Sequence, residues 1–420
     1  MKIACIGGGP AGLYLSILLK LRSAEHEITV YERSQANSMA GWGVTFGQHL
    51  LDRMQAADAE SAEQLTASAF CWHEQVVHIR GGQAAAPGGN AYNIRRRRLI
   101  EILTARALAL GVRIEYGTEI TGPGQLPEAD LIVAADGLNS KIREADPGFG
   151  TRIVAGGNKY IWLGSDKVFT AFNFLFAETA QGWVWAHAYG IDSGTSTFIV
   201  ECSPPTWSAL GLDALSTQEA LPVLEGLFRE HLDGRRLTGE LGDGSTARWL
   251  NFKTVSNRRW HSGKVVLVGD SARTAHFAVG MGTTLAFDDV MLLADLLHRQ
   301  ADLEAALQTY EQQRKREVAA TLAEAHCSTQ WFENLDRYSR LSPRRFGALL
   351  FARRSPLIAV LPPWLSYLLR QASGKVKAVD ALRHSIAPVT KAIYKERKMT
   401  PPAAEGDSSA AANKTVSGVR

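Results

Sequence analysis

A run of glycines near the N-terminus constrains this sequence more than any other feature. It separates an apolar run at residues 2–6, short enough for a buried strand, from helical apolar spacing at residues 13–19. Gly7 permits a tight turn, Gly9 lets a phosphate approach the backbone, and Gly12 lets the helix pack closely on the strand. The pattern predicts that a dinucleotide pyrophosphate binds at the N-terminus of this helix. The predicted contacts are Gly7, Gly9, Pro10, Ala11 and Gly12.

A second predicted strand supports this interpretation. Residues 28–31 are apolar or β-branched and end in Glu32, about twenty residues after the glycines. A carboxylate at this point accepts hydrogen bonds from a ribose and repels a 2′-phosphate, so it favours FAD or NAD. Arg33 follows directly and is a further candidate contact to the cofactor.

Composition excludes several other classes of protein. The net charge is +4, and residues 375–398 carry seven basic and two acidic side chains, so the remainder is near neutral and gives no general case for nucleic-acid binding. The longest apolar runs are too short for a membrane span. Four cysteines without paired spacing indicate a reducing cytoplasm rather than disulfides or a zinc site.

The 420 residues predict two interleaved domains and a C-terminal extension. We expect an α/β fold, in which a Rossmann-like FAD-binding domain is interleaved with a β-sheet substrate domain and followed by a helical C-terminal region. The expected ranges are 1–66, 88–151 and 253–330 for the first domain, 67–87 and 152–252 for the second, 331–398 for the helical region, and 399–420 for a disordered tail.

Three motifs in a fixed order identify a resemblance to a family. They are the N-terminal glycines with Glu32, the segment Ala135-Asp136-Gly137-Leu138-Asn139, and Gly269-Asp270 followed by Gly280-Met281-Gly282-Thr283. Together they resemble the class A FAD-dependent aromatic hydroxylases, the group typified by p-hydroxybenzoate hydroxylase. The resemblance covers residues 1 to about 330.

The resemblance implies cofactor contacts beyond the first motif. Arg96, in an Arg-x-x-Leu segment, would contact FAD, and Asp270 would accept a hydrogen bond from a hydroxyl of FAD. Backbone N–H groups from Gly280 to Thr283 would face the flavin and stabilise negative charge on its reduced form. The further contacts predicted in this way are Arg96, Asp136, Gly137, Gly269, Asp270, Gly280, Gly282 and Thr283.

Two departures from the family pattern point to a subgroup. Arg273 stands where members commonly have histidine, and Phe277 stands where they have proline, three residues before the first glycine of the later pair. The neighbouring residues, with segments 159–164, 182–189 and 328–333, are similar to the subgroup that contains salicylyl-CoA 5-hydroxylase and the monooxygenase part of anthraniloyl-CoA monooxygenase.

The resemblance implies that the chain uses NADH or NADPH and O₂ to hydroxylate an aromatic ring through a flavin C4a-hydroperoxide. The candidates for proton transfer are His187, Tyr189 and His276, and the spacing of the first two places them on one strand face. An aromatic wall for the substrate is predicted from Trp42, Phe46, Tyr160 and Trp162, although core packing explains these residues almost as well. No metal is expected.

The substrate stays open at this point. The subgroup favours an aryl-CoA thioester such as salicylyl-CoA, with a free or carrier-bound aromatic metabolite as the alternative. A flavin oxidase or reductase of the same fold is a second alternative. A halogenase is disfavoured because Trp183-Val184-Trp185 is followed by Ala186-His187 rather than Ile-Pro. A non-enzymatic scaffold would need a broken cofactor motif, and all three are intact.

Overall fold

The computed structural model describes residues 1–36 and 41–373, and in this part of the chain it contains two β-sheets. The first sheet is six-stranded and mostly parallel. Its strands in spatial order are β14 (His261–Ser262), β15 (Val265–Leu267), β7 (Leu131–Ala134), β1 (Lys2–Ile6), β2 (Glu27–Glu32) and β6 (Arg113–Tyr116). The predicted strands at 2–6 and 28–31 are confirmed as β1 and β2.

The second sheet has nine strands and is mostly antiparallel. Its strands in spatial order are β12 (Leu237–Thr238), β8 (Thr151–Ser165), β11 (Ser196–Cys202), β10 (Gly182–Gly190), β9 (Phe172–Thr179), β4 (Phe70–Ile79), β5 (Gly82–Arg95) and β3 (Gly43–Gly47), and β13 (Leu250–Asn257) also pairs with β8. β3 and the end of β5 lie in ranges that the sequence assigned to the first domain, yet they pair within this sheet. The domain ranges stay a prediction.

Helices cover the sheets and form the region after them. Those of the first 300 residues are α1 (Pro10–Arg22), α2 (Gln48–Ala57), α3 (Ala59–Ser68), α4 (Arg96–Ala109), α5 (Lys141–Ala145), α6 (Pro204–Ala209), α7 (Thr217–Leu227), α8 (Arg229–Leu232) and α9 (Gly282–Arg299). They are followed by α10 (Leu303–Glu333), α11 (Asp336–Ser339), α12 (Pro343–Phe351), α13 (Pro356–Val360) and α14 (Pro363–Ser373). α10 ends at Glu333, within the range predicted as the helical C-terminal region, and the chain continues in shorter helices.

Two apolar cores follow from these layers. The first lies around the parallel sheet, where β1 and β7 are buried on both faces as expected for parallel strands covered by helices. The second lies between one face of the antiparallel sheet and α7, where every second residue of β10 points toward the helix. The other face of that sheet is aromatic and belongs to the site described below.

The C-terminal predictions are only partly covered by the described residues. Residues 1–363 form one compact unit, and the segment from Trp364 belongs to another, of which the structure describes α14 as far as Ser373. The basic stretch at 375–398 and the predicted disordered tail at 399–420 lie outside the described residues. No helix in the described ranges is long and apolar enough to cross a membrane.

Candidate active site

A cavity of about 360 Å³ lies at the carboxyl ends of the parallel strands, where α1 begins. Of the fifteen predicted cofactor contacts, thirteen line this cavity. They are Gly7, Gly9, Pro10, Ala11, Glu32, Arg33, Arg96, Asp136, Gly137, Gly269, Asp270, Gly282 and Thr283. Gly12 and Gly280 are not among the lining residues. The fold thus brings three distant sequence motifs together around one space.

The glycines shape the cavity in different ways. Gly7 has φ +106°, and a Cβ there would lie 2.5 Å from the carbonyl oxygen of Ala135. A Cβ on Gly12 would lie 2.2 Å from the carbonyl oxygen of Gly7, so a side chain would push α1 away from β1. A Cβ on Gly9 meets nothing within 4 Å, which leaves room for a ligand close to the backbone.

Glu32 is fixed at the end of β2 by two backbone donors. Its Oε2 accepts a hydrogen bond from the Gly8 N–H at 2.7 Å, and its Oε1 accepts one from the Ser34 N–H at 2.8 Å. Each carboxylate oxygen keeps a further lone pair for a hydroxyl donor. The predicted ribose contact is therefore held rigidly beside the cavity.

Arg96 and Asp270 are two residues of opposite charge type that line the cavity. Burial lowers the pKa of the Arg96 guanidinium, while Asp270 and Glu32 oppose this shift. Asp270 is exposed on the side that faces the cavity and is surrounded by protein on its other sides. Burial raises the pKa of its carboxyl, and the charges of Arg273 and Arg96 oppose this shift. The Nε of Arg96 is buried without a hydrogen-bond partner among the described residues. Such an unpaired donor is costly unless a ligand accepts its hydrogen bond.

A buried ion network under the cavity was not predicted from the sequence. Asp289, with 0% exposure, accepts hydrogen bonds from Arg273 Nη2 at 2.8 Å, from Arg314 Nε at 2.9 Å and from the Gly269 N–H at 3.0 Å. Arg273, which replaces the usual histidine, therefore joins the turn at Gly269 to α9, and Arg314 extends the network to α10. Arg273 therefore has a structural role beneath the cavity wall.

The aromatic face of the second sheet lies opposite its helical core. Strand alternation places Trp185, His187 and Phe174 on this face, because His187 pairs with Phe174 across β10 and β9. Phe332 of α10 stacks on Trp185 at 5.8 Å between ring centroids, and Phe277 lies 5.7 Å from His187. We call Phe174, Trp185, His187, Phe277 and Phe332 the aromatic cluster.

His187 and Glu201 bring a titratable pair into the aromatic cluster. Both residues are 1% exposed, and His187 Nε2 lies 3.6 Å from Glu201 Oε2. Glu201 is held by Asn158 Nδ2 at 2.8 Å and Trp185 Nε1 at 3.1 Å. Burial lowers the pKa of His187, and its Nδ1 has no hydrogen-bond partner in the described part of the chain.

Glu201 is a residue that sequence analysis missed. Burial favours its neutral form, yet His187, His276 and Asn158 outweigh burial and lower the pKa of its carboxyl below the ordinary value. It is therefore charged at neutral pH. The signal that could have revealed it is its position in β11, where it is the one charged residue in the strand Ser196–Cys202.

His276 lies close to Glu201 and caps a turn of the backbone. Its Nδ1 accepts a hydrogen bond from the Ala278 N–H at 3.2 Å and so caps the short 3₁₀ turn Phe277–Val279. In the neutral ring the proton then sits on Nε2. Burial lowers the pKa of His276 to about 4, so the ring is neutral at pH 7.

The remaining predicted residues are divided among three places. Tyr160 reaches the aromatic cluster, 4.9 Å from Phe277, whereas Trp42 and Trp162 lie near Gly41 and Gly164 with both indole N–H groups lacking a partner in the described ranges. Tyr189 stacks on Phe172 at 4.8 Å, and burial raises its pKa. Phe46 packs in the core of the first sheet and stacks on Tyr92.

Comparison with known proteins assigns this chain to a family. The FAD binding domain family matches residues 121–325. Salicyloyl-CoA 5-hydroxylase from Streptomyces sp is 36% identical to this chain over 369 aligned residues. The aligned part makes up 85% of this chain and 70% of that enzyme. The chain belongs to the FAD-dependent aromatic monooxygenases.

Two further relatives lie in the same family. The 3-hydroxy-4-methyl-anthranilyl-[aryl-carrier protein] 5-monooxygenase of Streptosporangium sibiricum is 35% identical over 80% of this chain and 90% of its own. Protodeoxyviolaceinate monooxygenase of Chromobacterium violaceum is 32% identical over 89% of this chain and 99% of its own. Among solved structures, 2-methyl-3-hydroxypyridine-5-carboxylic acid oxygenase matches the fold of this monooxygenase with a TM-score of 0.68 and 19% identity, over 84% of this chain and 96% of its own.

The cavity of this monooxygenase fits FAD. The open space over Gly9, Gly137 and Gly282 leaves room for a ligand at the backbone, and the unpartnered Arg96 Nε provides a donor to it. The N-terminus of α9, where Gly282 and Thr283 line the cavity, favours negative charge. FAD is therefore the cofactor, and NADH or NADPH is the reductant typical of the family.

Proposed function

We propose that this monooxygenase hydroxylates the ring of an aromatic acid carried as a thioester, with coenzyme A as the first candidate carrier. The names of two relatives, at 36% and 35% identity, refer to a coenzyme A thioester and to an aryl-carrier protein. The protodeoxyviolaceinate enzyme favours the alternative, an aromatic metabolite without a named carrier. Both alternatives require a ring that is rich in electrons.

The buried pair His187–Glu201 carries this proposal. A ring with a hydroxyl or amino group is attacked more readily when that group loses its proton, and a neutral buried histidine can accept it. His187 has two ring nitrogens without hydrogen-bond partners among the described residues, and Glu201 stabilises the imidazolium that forms. We assign His187 as the general base and Glu201 as the residue that stabilises its charged form.

The other candidate residues have supporting roles in this proposal. Tyr160, Phe174 and Phe277 supply flat apolar surface for the ring. His276 holds the turn that leads to the cavity, and Tyr189 belongs to the packed wall beyond the cluster. Bound FAD would supply the activation of O₂, of which one oxygen atom enters the ring and the other leaves as water. The protein binds and orients the ring, excludes water and holds the proton on His187.

A substrate panel tests the function. Purified holoenzyme is mixed with salicylyl-CoA, the corresponding pantetheine thioester and free salicylate, and the rates of NADH and NADPH oxidation are compared. We expect the coenzyme A thioester to accelerate flavin reduction most and the product to gain one ¹⁸O atom from ¹⁸O₂. Faster turnover of the free acid would contradict the thioester proposal. Peroxide as the sole product with every compound would favour an oxidase.

A variant of His187 tests the assignment of the base. His187→Gln keeps a polar side chain but cannot take up the proton, so we expect kcat to fall by about 10²-fold or more with little change in KM. The loss should shrink at high pH, where the phenol ionises by itself. Tyr189→Phe is the matched control on the same strand face, and its kcat should stay within a few-fold of the parent.

A further inference from the structure

We infer that Arg353 and Arg354 are positioning residues that hold the turn leading into the FAD cavity. This turn is the 3₁₀ segment Phe277–Val279, and it continues through Gly280, with φ +65°, into the first residues of α9. Gly282 lines the cavity directly. Any displacement of the turn therefore moves the end of α9 that faces FAD.

Both arginines bind the turn through its carbonyl groups. Arg353 Nη2 donates a hydrogen bond to the Ala278 carbonyl oxygen at 2.6 Å, and Arg354 Nη2 donates one to that of Val279 at 2.8 Å. The N–H of Ala278 is bound to His276 Nδ1. The backbone of Ala278 is consequently held at its N–H by a histidine and at its carbonyl oxygen by an arginine.

Arg353 is itself fixed from several sides. Its Nε donates to Ser328 Oγ at 3.0 Å, its Nη1 donates to the Leu350 carbonyl at 3.0 Å, and its guanidinium lies 5.0 Å and 5.6 Å from the ring centroids of Phe174 and Phe332. The residue is 4% exposed, and its hydrogen-bond acceptors in the described part of the chain are all neutral. A buried cation without a carboxylate is expensive, so packing alone gives little reason for it.

The turn has no backbone restraint of its own at Phe277. A proline fixes its own φ near −65°, whereas phenylalanine does not. Phe277 supplies an aromatic ring to the cluster but no such restraint. Arg353 and Arg354 supply a restraint from outside the turn, 75 residues later in the chain.

The restraint has an electrostatic consequence for FAD. The N-terminal N–H groups and the dipole of α9 favour negative charge at the cavity, and the effect falls off within the first turn. Reduced FAD carries more negative charge than oxidised FAD at neutral pH. A turn held in place should therefore stabilise the reduced form more than the oxidised form and raise the two-electron reduction potential.

The test measures that potential without any aromatic substrate, so its outcome is independent of the proposed substrate. Arg353→Met and Arg354→Met are compared with Arg344→Met, which removes an exposed arginine from α12. We expect the binding of reduced FAD to weaken about tenfold more than that of oxidised FAD in Arg353→Met. This corresponds to a potential lower by about 30 mV. Arg344→Met should match the parent.

Two further variants keep the inference falsifiable. Should Arg353→Met fail to fold, Arg354→Met still tests the turn, because the Arg354 side chain is 42% exposed, and its potential should shift in the same direction. Arg353→Lys keeps the charge but not the forked donor geometry, so it should recover only part of the shift. A parental potential in Arg353→Lys, or in both methionine variants, would overturn the inference.

Discussion

At the scale of single residues, Gly12 shows how the absence of a side chain decides cofactor binding. The residue lies outside the cavity, yet its Cα faces the Gly7 carbonyl and the Sγ of Cys5 so closely that a Cβ would lie within 2.9 Å of both. Neither neighbour can move without shifting β1 or the turn that follows it. The close approach of α1 to the strand is therefore fixed at this position.

Gly12→Val should abolish FAD binding because the valine side chain separates α1 from β1 and displaces the turn at Gly7. The purified variant is expected to be colourless, and titration with FAD followed by flavin fluorescence should show no saturable quenching. Gly124→Ala is the matched control, since a Cβ there meets nothing within 4 Å and the residue does not line the cavity. A yellow Gly12→Val protein would contradict this account.

His276 makes the stability of the fold depend on pH. Burial lowers its pKa to about 4 from an ordinary value of 6.5, so the unfolded chain binds a proton more readily than the folded one. His276 therefore costs no stability above about pH 6.5, and the free energy of unfolding falls progressively as the pH drops from 6.5 toward 4. The loss from this residue is at most on the order of 3 kcal/mol.

His276→Asn tests this pH dependence. Asparagine keeps a side-chain acceptor for the Ala278 N–H but does not titrate. The free energy of unfolding from urea denaturation should fall between pH 7 and pH 5 in the parent and fall less in the variant. Equal slopes in the two proteins would show that other groups, with His187 foremost because its pKa is also lowered by burial, account for the dependence.

At the residue scale, the sequence pointed to residues that line the cavity where the pattern is local in sequence. Gly7, Gly9 and Glu32 could be proposed because one consecutive strand–helix–strand unit, residues 2–32, contains them all. Arg353 could not, because its partners Ala278 and Ser328 are 75 and 25 residues away and no local pattern distinguishes it from the exposed arginines nearby. The general base and the substrate wall remain predictions.

At the scale of elements, the buried network around Asp289 joins α9 and α10 to the turn at Gly269. One carboxylate there serves both Arg273 and Arg314, which are 2% and 4% exposed. Taking the charge from Asp289 would leave two buried guanidinium groups without their shared partner. Asp289 is therefore important for the stability of this part of the fold, although Arg314 also pairs with Glu317.

Asp289→Asn should lower the free energy of unfolding by about 3–5 kcal/mol. The measurement is urea denaturation of the apoprotein, followed by far-UV circular dichroism. Asp295→Asn is the matched control on the same helix, because its ion pair with Arg299 is exposed and should contribute less than about 1 kcal/mol. Similar midpoints for the two variants would contradict a stabilising role for the network.

Whether a segment is a helix or a strand was easier to predict than which core each of its side chains faces. Strand alternation in β10 and the helical spacing of α9 are visible in the sequence, and both elements are present. The sequence grouped Phe46 with Tyr160, Trp42 and Trp162, but β3 turns Phe46 into the core of the first sheet. Aromatic side chains fit both environments, and only the pairing of distant strands decides between them.

At the scale of the whole molecule, the two sheets share one continuous chain that passes between them several times. β1 and β2 of the first sheet precede β3 to β5 of the second, and β15 follows β13. The Thr45 hydroxyl on β3 also donates a hydrogen bond to the carbonyl of Gly280. Neither sheet can be completed from one uninterrupted segment.

FAD should therefore stabilise both sheets together. At a free concentration one hundred times its Kd, FAD adds about 2.7 kcal/mol to the free energy of unfolding. We expect a single calorimetric transition that moves upward as a whole, with near-UV circular dichroism reporting the same midpoint. Two transitions, of which FAD moves only one, would show that the sheets unfold independently.

The position of β15 beside β7 in the first sheet has a consequence during synthesis. β7 ends at residue 134 and is fully buried in the finished protein, but its second neighbour, β15, ends only at residue 267. At 5–20 residues per second, a ribosome leaves one edge of β7 unpaired for roughly 10 s. An apolar strand edge is a template for pairing with other chains, so nascent chains stalled in this interval should depend on chaperones and cannot yet take up their flavin.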